Sequence, residues 1–132
     1  MTFSIDLNGK KGIVFGVANH RSIAWAISKV LADAGAELCF TYLNERLKQP
    51  VEKTVSEIGN PLLLECDATD EKQIEKVYET VKNHYGSIDF IVHCIAYAER
   101  DDLGGNFSDT NISGFRTALE TSAYTLIPVV GK

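Results

Sequence analysis

The fold of this chain is decided by residues 12–35, GIVFGVANHRSIAWAISKVLADAG, which predict a strand, a turn and a helix. The apolar run at residues 13–15 is typical of a strand that is buried on both faces of a parallel sheet. Gly16 ends this run, and Gly35 is a natural helix stop. Between them we expect a helix whose buried face carries the apolar residues at helical spacing, namely Ile23, Ile27, Val30, Leu31 and Ala34.

The turn at Gly16 has the character of a phosphate-binding site. A strand that enters a helix through a glycine turn directs free backbone N–H groups and the positive end of the helix dipole at one point, which suits a pyrophosphate. Gly16 lets the backbone approach a ligand, and the Ser22 hydroxyl is a donor for a phosphate oxygen. The usual G-x-G-x-x-G pattern is absent, because Ser22 and Ala24 stand where later glycines are expected. An ordinary strand–helix connection with Ser22 as N-cap is the alternative.

Composition limits the classes of protein to which the chain can belong. It has 132 residues, 45% of them hydrophobic, and a net charge of −5, which predicts one soluble globular domain and disfavours nucleic acid as a partner. Its apolar runs are too short to cross a bilayer and residues 1–9 lack signal-peptide features, so we expect no membrane insertion and a cytoplasmic location. Cys39, Cys66 and Cys94 lack metal-ligand spacing, which predicts buried, reduced thiols and no metal site.

The rest of the chain alternates strands and helices. We expect further strands at residues 37–42, 61–67 and 88–97, the last including its exit. Because crossovers between parallel strands are right-handed, the pattern predicts an α/β fold with one doubly wound parallel sheet in the strand order 3-2-1-4. Such a sheet is incomplete, and its fourth strand is expected at an open edge.

The remaining helices each carry an apolar stripe. We expect the second helix within residues 46–58, with Pro50 near its start, where the missing N–H does little harm. Asp70 and Gln73 resemble a capping box at the start of the third helix, which Gly86 ends. The predicted buried faces are Leu47, Val51, Val55 and Ile58 in the second helix, Ile74, Val77, Tyr78, Val81 and Tyr85 in the third, and Phe115, Leu119, Ala123 and Leu126 in the last.

A nucleotide in such a fold binds at the carboxyl ends of the strands. The segments expected to meet there are residues 16–22, Leu43, Asp67 with Ala68, and residues 94–98. Asp67 either accepts a hydrogen bond from an adenine amino group or caps the following helix, and the residues alone leave both roles open.

Other polar residues near this edge are less informative. His93 is expected to be a hydrogen-bonded core residue, and His20 is expected to face solvent. An acidic residue that commonly binds the adenosine ribose is missing at the end of the second strand. Glu45 lies slightly late and Arg46 suits a 2′-phosphate, so the choice between NADH and NADPH stays open.

Five segments carry a family resemblance: GVANHRSIAWAI (16–27), FTYLNERL (40–47), CDA (66–68), VHCIAYA (92–98) and TSAY (121–124). Together they resemble the bacterial enoyl-acyl-carrier-protein reductases, divergent members of the short-chain dehydrogenase/reductase superfamily with a Rossmann-type fold. The resemblance extends over the whole chain. It implies that residues 1–132 are the N-terminal part of a single dinucleotide-binding domain.

The resemblance also implies a site for NADH, with NADPH possible. Its expected residues are Gly16, Ser22 and Ile23 at the pyrophosphate, Leu43 beside the adenosine ribose, Asp67 and Ala68 at the adenine, Ile95 at the nicotinamide-side ribose, and Ala98 on the substrate side. The family reduces the 2,3-double bond of an enoyl thioester carried by acyl carrier protein, and its members are commonly homotetramers.

The chain departs from this family in its catalytic residues. The family's Tyr-x6-Lys pair follows a further strand, and no pair here replaces it. Tyr78 and Lys82 have a Tyr-x3-Lys spacing but fall on a surface helix, and Tyr124 would need its lysine at Gly131. We therefore expect no catalytic residue here, and the first half of a longer reductase rather than a natural fragment. A keto-group reductase and a non-catalytic nucleotide-binding or assembly module are the alternative functions.

Overall fold

Strands and helices alternate throughout the computed structural model of the chain, which describes residues 4–132. The strands are β1 (Lys11–Phe15), β2 (Glu37–Tyr42), β3 (Leu63–Glu65) and β4 (Phe90–His93). The helices are α1 (Ile23–Asp33), α2 (Glu45–Val55), α3 (Glu71–Tyr85), α4 (Ile112–Leu119) and α5 (Leu126–Val130). Two short 3-10 turns lie between β4 and α4, and a π turn at Glu120–Tyr124 joins α4 to α5.

The strands form one parallel sheet in the order β3-β2-β1-β4, which confirms the predicted topology. Ile13 at the centre of β1 is in register with Cys39 of β2 and Ile91 of β4. Successive side chains of β1 point to opposite faces, so Ile13 packs towards α3 and Val14 towards α1 and α2. As predicted, β1 is buried on both faces, and it divides the core into two layers.

The buried face of α1 differs in part from the predicted one, because Leu31 packs against the core as predicted but Ile23, Ile27 and Val30 are exposed. Ile23, with 77% of its surface exposed, lies with Ile27 and Val30 on the outer side of the helix. The inward side carries Trp25 and two small residues: Ala24 and Ser28. Small side chains let the helix backbone approach the sheet closely, and Trp25 fills the remaining space against Phe40, with the ring centroids 6.3 Å apart. The helix ends at Gly35, as expected.

The segment from α4 to α5 also buries a different face from the predicted one. The expected buried residues Phe115, Leu119, Ala123 and Leu126 are exposed, and Thr125 and Val129 point inward instead. Thr125 and Val129 lie four residues apart on the inward side, where the Thr125 hydroxyl contacts His93, so the side of the helix that carries the apolar stripe faces outward.

Smaller differences concern β3 and α2. β3 is a half-buried edge strand of three residues, shorter than the strand predicted at 61–67. α2 begins at Glu45, earlier than predicted, so that Pro50 lies inside the helix and not in its first turn. Val51 and Val55 are nevertheless buried, as predicted. No helix among residues 4–132 is long and apolar enough to span a membrane.

The cap of α3 differs in one partner from the predicted capping box. The Asp70 carboxylate accepts a hydrogen bond from the Lys72 N–H at 3.0 Å and so caps the helix. The Gln73 side chain accepts from the Asp67 N–H at 2.8 Å, rather than from the Asp70 N–H. The buried stripe of α3 and its end at Gly86 are as predicted.

Candidate functional site

A cavity of about 430 Å³ opens at the carboxyl edge of the sheet. Its walls come from the ends of all four strands and from the π turn. Of the predicted site residues, Gly16, Leu43, Asp67, Ala68 and Ile95 line it. Because these residues are far apart in sequence, only the parallel arrangement of the strands brings them to one place.

Gly16 joins β1 to the turn before α1 and cannot be replaced without strain. Its φ is +109°, in the region that favours glycine. A Cβ at this position would lie against the carbonyl oxygen of Cys94, closer than real Cβ atoms approach any atom. The Gly16 turn and the exit of β4 are thus in direct backbone contact at the mouth of the cavity.

Ser22 shapes the turn and leaves the start of α1 open. Its Oγ accepts hydrogen bonds from the N–H groups of Ala18 at 2.9 Å and Asn19 at 3.1 Å, so this side chain makes no cap to the helix. Within the described residues, the N–H groups of Ile23 and Ala24 have no acceptor, and the first turn of α1 has no acidic residue. This arrangement suits a bound anion.

The end of β2 contributes apolar surface to the cavity. Leu43 is half exposed and lines the wall together with Leu47 of α2. Glu45 is the first residue of α2, where its carboxylate lies near the positive end of the helix dipole. β2 therefore presents no acidic side chain at its own carboxyl end.

Asp67 is held by the residues that follow β3. Its Oδ1 accepts hydrogen bonds from the Thr69 N–H at 2.9 Å and from the Thr69 hydroxyl at 2.7 Å. The expected alternative role, capping α3, belongs to Asp70 instead. The other carboxylate oxygen of Asp67 has no hydrogen-bond partner within residues 4–132, and the residue lines the cavity.

Two threonines complete the cavity wall beyond β4: Thr121 of the π turn and Thr125, which follows it. His93 is half-buried, and its Nε2 lies 2.9 Å from Thr125 Oγ1. The Thr125 hydroxyl donates to the Thr121 carbonyl at 2.8 Å, so His93 Nε2 is the donor in the first contact. His93 is therefore hydrogen-bonded, as predicted, and His20 is exposed, as predicted.

The three thiols differ in accessibility. Burial raises the pKa of Cys39 and of Cys66 to about 12, as expected for reduced core thiols. Cys94 is only half-buried, contrary to the prediction, because it follows β4 and lies in the cavity wall. Burial raises the pKa of Cys94 to a smaller extent. The described part of the chain contains no cluster of residues that could hold a metal ion.

Some predicted residues lie beside the cavity rather than in its wall. Ser22 and Ile23 sit at the start of α1, and Ala98 follows the wall residue Tyr97, but none of the three lines the cavity. The sequence prediction missed Thr121 and Thr125 as wall residues. Threonines at 117, 121 and 125, four residues apart, were the available signal for a polar inward face on this helix.

A parallel α/β sheet with a glycine turn, an uncapped helix start and a cavity at its carboxyl edge defines a Rossmann-type fold. A family model described as Enoyl-(Acyl carrier protein) reductase matches residues 16–131. The chain belongs to this enoyl-acyl-carrier-protein reductase family.

Curated relatives and solved structures agree with this result. The chain is 46% identical over 123 residues to the enoyl-[acyl-carrier-protein] reductase [NADH] FabI of Enterococcus faecalis, covering 93% of this chain and 48% of the relative. It is 44% identical over 132 residues to the Nostoc FabI, covering 96% of this chain and 50% of the relative. The chain thus spans about half the length of the curated relatives it matches.

Two solved structures show the same fold. The Bacillus cereus enoyl-acyl carrier protein reductase, crystallised with NADP+ and indole naphthyridinone, superposes with a TM-score of 0.90 at 43% identity, over 96% of this chain and 51% of that one. The Anaplasma phagocytophilum reductase, crystallised with NAD, superposes with a TM-score of 0.91 at 33% identity, over 99% of this chain and 50% of that one.

Proposed function

We propose that this chain supplies the NADH-binding part of an enoyl-acyl-carrier-protein reductase, which reduces the 2,3-double bond of enoyl thioesters in fatty-acid elongation. A bound reduced nicotinamide supplies the hydride for that reaction. The residues of this chain bind and orient the nucleotide. The family match and the [NADH] designation of the FabI relatives support NADH over NADPH.

The observation that carries this proposal is the uncapped start of α1 (Ile23–Asp33) beside the Gly16 turn. Because the Ser22 hydroxyl oxygen is engaged with Ala18 and Asn19, the helix start keeps two free N–H donors for an anion. The Ser22 proton itself has no acceptor among residues 4–132 and is free to donate to the same ligand. A pyrophosphate fits these donors.

The rest of the dinucleotide is assigned along the cavity wall. The free carboxylate oxygen of Asp67 would accept a hydrogen bond from the adenine amino group, and Ala68 would contact the adenine. Leu43 packs beside the adenosine ribose, and Ile95 lies at the nicotinamide-side ribose. Ala98, which follows the wall, faces the substrate side. These residues follow three different strand ends at the carboxyl edge of the sheet, which is where a dinucleotide binds in such a fold.

The wider setting of the protein is proposed on the same basis. Its substrate partner is an enoyl-acyl carrier protein, and its location is the cytoplasm. Residues 1–132 form the N-terminal part of one dinucleotide-binding domain that assembles as a homotetramer. The exposed apolar residues of α4 and α5, among them Phe115, Leu119 and Ile127, support an assembled state, since large apolar patches are uncommon on monomers.

Titration with NADH and NADPH tests the nucleotide-binding role. We expect saturable binding of NADH to the 132-residue chain, followed by nicotinamide fluorescence, and weaker binding of NADPH. Failure of both nucleotides to bind would contradict the proposal. The protein purified from its native source is expected to oxidise NADH with a crotonyl or longer enoyl thioester. Binding without such oxidation would remove the reductase assignment and favour a non-catalytic nucleotide-binding role.

Labelling of the thiols reports on the same cavity. At pH 8, iodoacetamide is expected to modify Cys94 slowly and to leave Cys39 and Cys66 unmodified, because thiolates are the reactive form and burial keeps the latter pKa values at about 12. Saturating NADH is expected to slow Cys94 labelling about tenfold or more by covering the wall. Mass spectrometry of tryptic peptides measures each site, with urea-unfolded protein as the control that labels all three. A Cys94 rate that NADH leaves unchanged would place the nucleotide elsewhere.

A further inference from the structure

The exit of β4 (Phe90–His93) is held by one side chain from the π turn. Ser122 Oγ accepts a hydrogen bond from the Tyr97 N–H at 2.9 Å and donates one to the Tyr97 carbonyl at 3.1 Å. A single hydroxyl therefore satisfies both backbone polar groups of Tyr97, 25 residues away in sequence. Tyr97 lies beyond the sheet, where no neighbouring strand of the described chain pairs with it.

The π turn at Glu120–Tyr124 is what directs Ser122 at this exit. The turn is closed by a hydrogen bond from the Thr125 N–H to the Glu120 carbonyl at 3.2 Å, which spans one residue more than an α-helical turn. Thr121 and Thr125 line the cavity, and Ser122 between them reaches Tyr97. Widened turns of this kind occur frequently at functional sites.

The exit is fixed on its other side by the Gly16 turn. The Cys94 carbonyl lies directly against the Cα of Gly16, so that even one methyl group would not fit between them. Residues 94–97 are thus held between the Gly16 turn and Ser122, and all four line the cavity. The distance between the anion-binding helix start and Ile95 depends on both contacts.

We propose that Ser122 is a positioning residue for the nucleotide site, which sets residues 94–97 at the spacing that the nicotinamide half of the ligand requires. The inference rests on the proposed function and adds to it a residue that acts through Tyr97 without touching the ligand. Without the hydroxyl, the N–H and the carbonyl of Tyr97 form hydrogen bonds with water, and residues 94–97 move away from the Gly16 turn. Ser122→Ala is expected to weaken NADH binding about tenfold.

The test compares Ser122→Ala with three other variants of the protein. Ser122→Thr keeps the hydroxyl and is expected to bind NADH within about twofold of the unsubstituted protein. Ser113→Ala removes an exposed hydroxyl of α4 that makes no side-chain hydrogen bond in the described chain, and should change nothing. Tyr78→Phe removes the 2.6 Å hydrogen bond from Tyr78 to the Val129 carbonyl, so it lowers stability at a residue that does not line the cavity.

NADH dissociation constants, urea midpoints and hydrogen exchange at the Tyr97 amide are measured for each variant. Faster exchange and weaker binding in Ser122→Ala alone support the proposal. Equal NADH affinity in Ser122→Ala and the unsubstituted protein overturns it, as does an equal loss of affinity in Tyr78→Phe, which would reduce Ser122 to a general stability role. Unchanged exchange at Tyr97 in Ser122→Ala also overturns it. Absence of NADH binding by the unsubstituted protein overturns the proposed function itself and is distinguishable from these outcomes.

Discussion

Gly16→Ala is expected to abolish NADH binding and to destabilise the fold. The new Cβ meets the backbone of Cys94, which cannot rotate away as a side chain does, and the φ of +109° is unfavourable for alanine. Backbone strain of this kind costs about 1–3 kcal/mol, and relief requires the Gly16 turn and the β4 exit to separate. Separation removes the cavity mouth, so we expect NADH affinity to fall about 100-fold or more, measured by nicotinamide fluorescence.

Gly59→Ala is the matched control for this substitution. Gly59 has a φ of +116°, close to that of Gly16, but no atom lies within 4 Å of its added Cβ. Gly59→Ala therefore introduces the same unfavourable φ without a steric clash, at a residue that does not line the cavity. We expect a loss of about 1 kcal/mol in the free energy of unfolding and unchanged NADH binding. Equal losses of NADH affinity in both variants would show that contact with Cys94 does not organise the site.

Trp25→Ala is expected to unfold the protein or bring it close to unfolding. Trp25 is 1% exposed and packs against Phe40 of β2, so its removal leaves a large cavity between α1 and the sheet. Truncation of a buried tryptophan costs about 3–5 kcal/mol, against a total stability of about 5–15 kcal/mol for a typical domain. Urea unfolding followed by circular dichroism measures the change, because the substitution removes the only tryptophan of the chain.

Ile23→Ala in the same helix separates the two possible orientations of α1. Ile23 belongs to the face that the apolar spacing predicts to be buried, yet it is 77% exposed. Its truncation is therefore expected to change the free energy of unfolding by about 0.5 kcal/mol or less. A larger loss in Ile23→Ala than in Trp25→Ala would mean that the helix faces the sheet as the spacing predicts.

β1 and β2 were predicted correctly because their burial can be read from consecutive apolar residues. The apolar runs of β1 and β2 are buried on both faces, and such strands have no polar side to confuse the pattern. Gly16, Gly35 and Gly86 mark element ends because each has a positive φ that other residues rarely adopt. The order 3-2-1-4 was predicted from the alternation of strands and helices, right-handed crossovers and the usual order of a dinucleotide-binding sheet.

Helix orientation was not predictable in the same way. Hydrophobic spacing favoured Ile23, Ile27 and Val30, whereas the sheet accepts the face with Ala24 and Ser28, because small side chains allow close approach. In the last helix the inward groups include Thr125, a polar residue whose hydroxyl is hydrogen-bonded within the helix and to His93. Neither effect is visible to a count of apolar residues at constant spacing.

The sequence by itself therefore determined the order of strands and helices, the parallel sheet and the edge at which its strand ends converge. Only the tertiary structure decided how those ends meet, since the contacts between Gly16 and Cys94 and between Ser122 and Tyr97 join segments distant in the chain. Sequence patterns reflect the conformational preferences of residues that are near each other in the chain. Contacts between segments that meet only after folding produce no periodic pattern in the sequence.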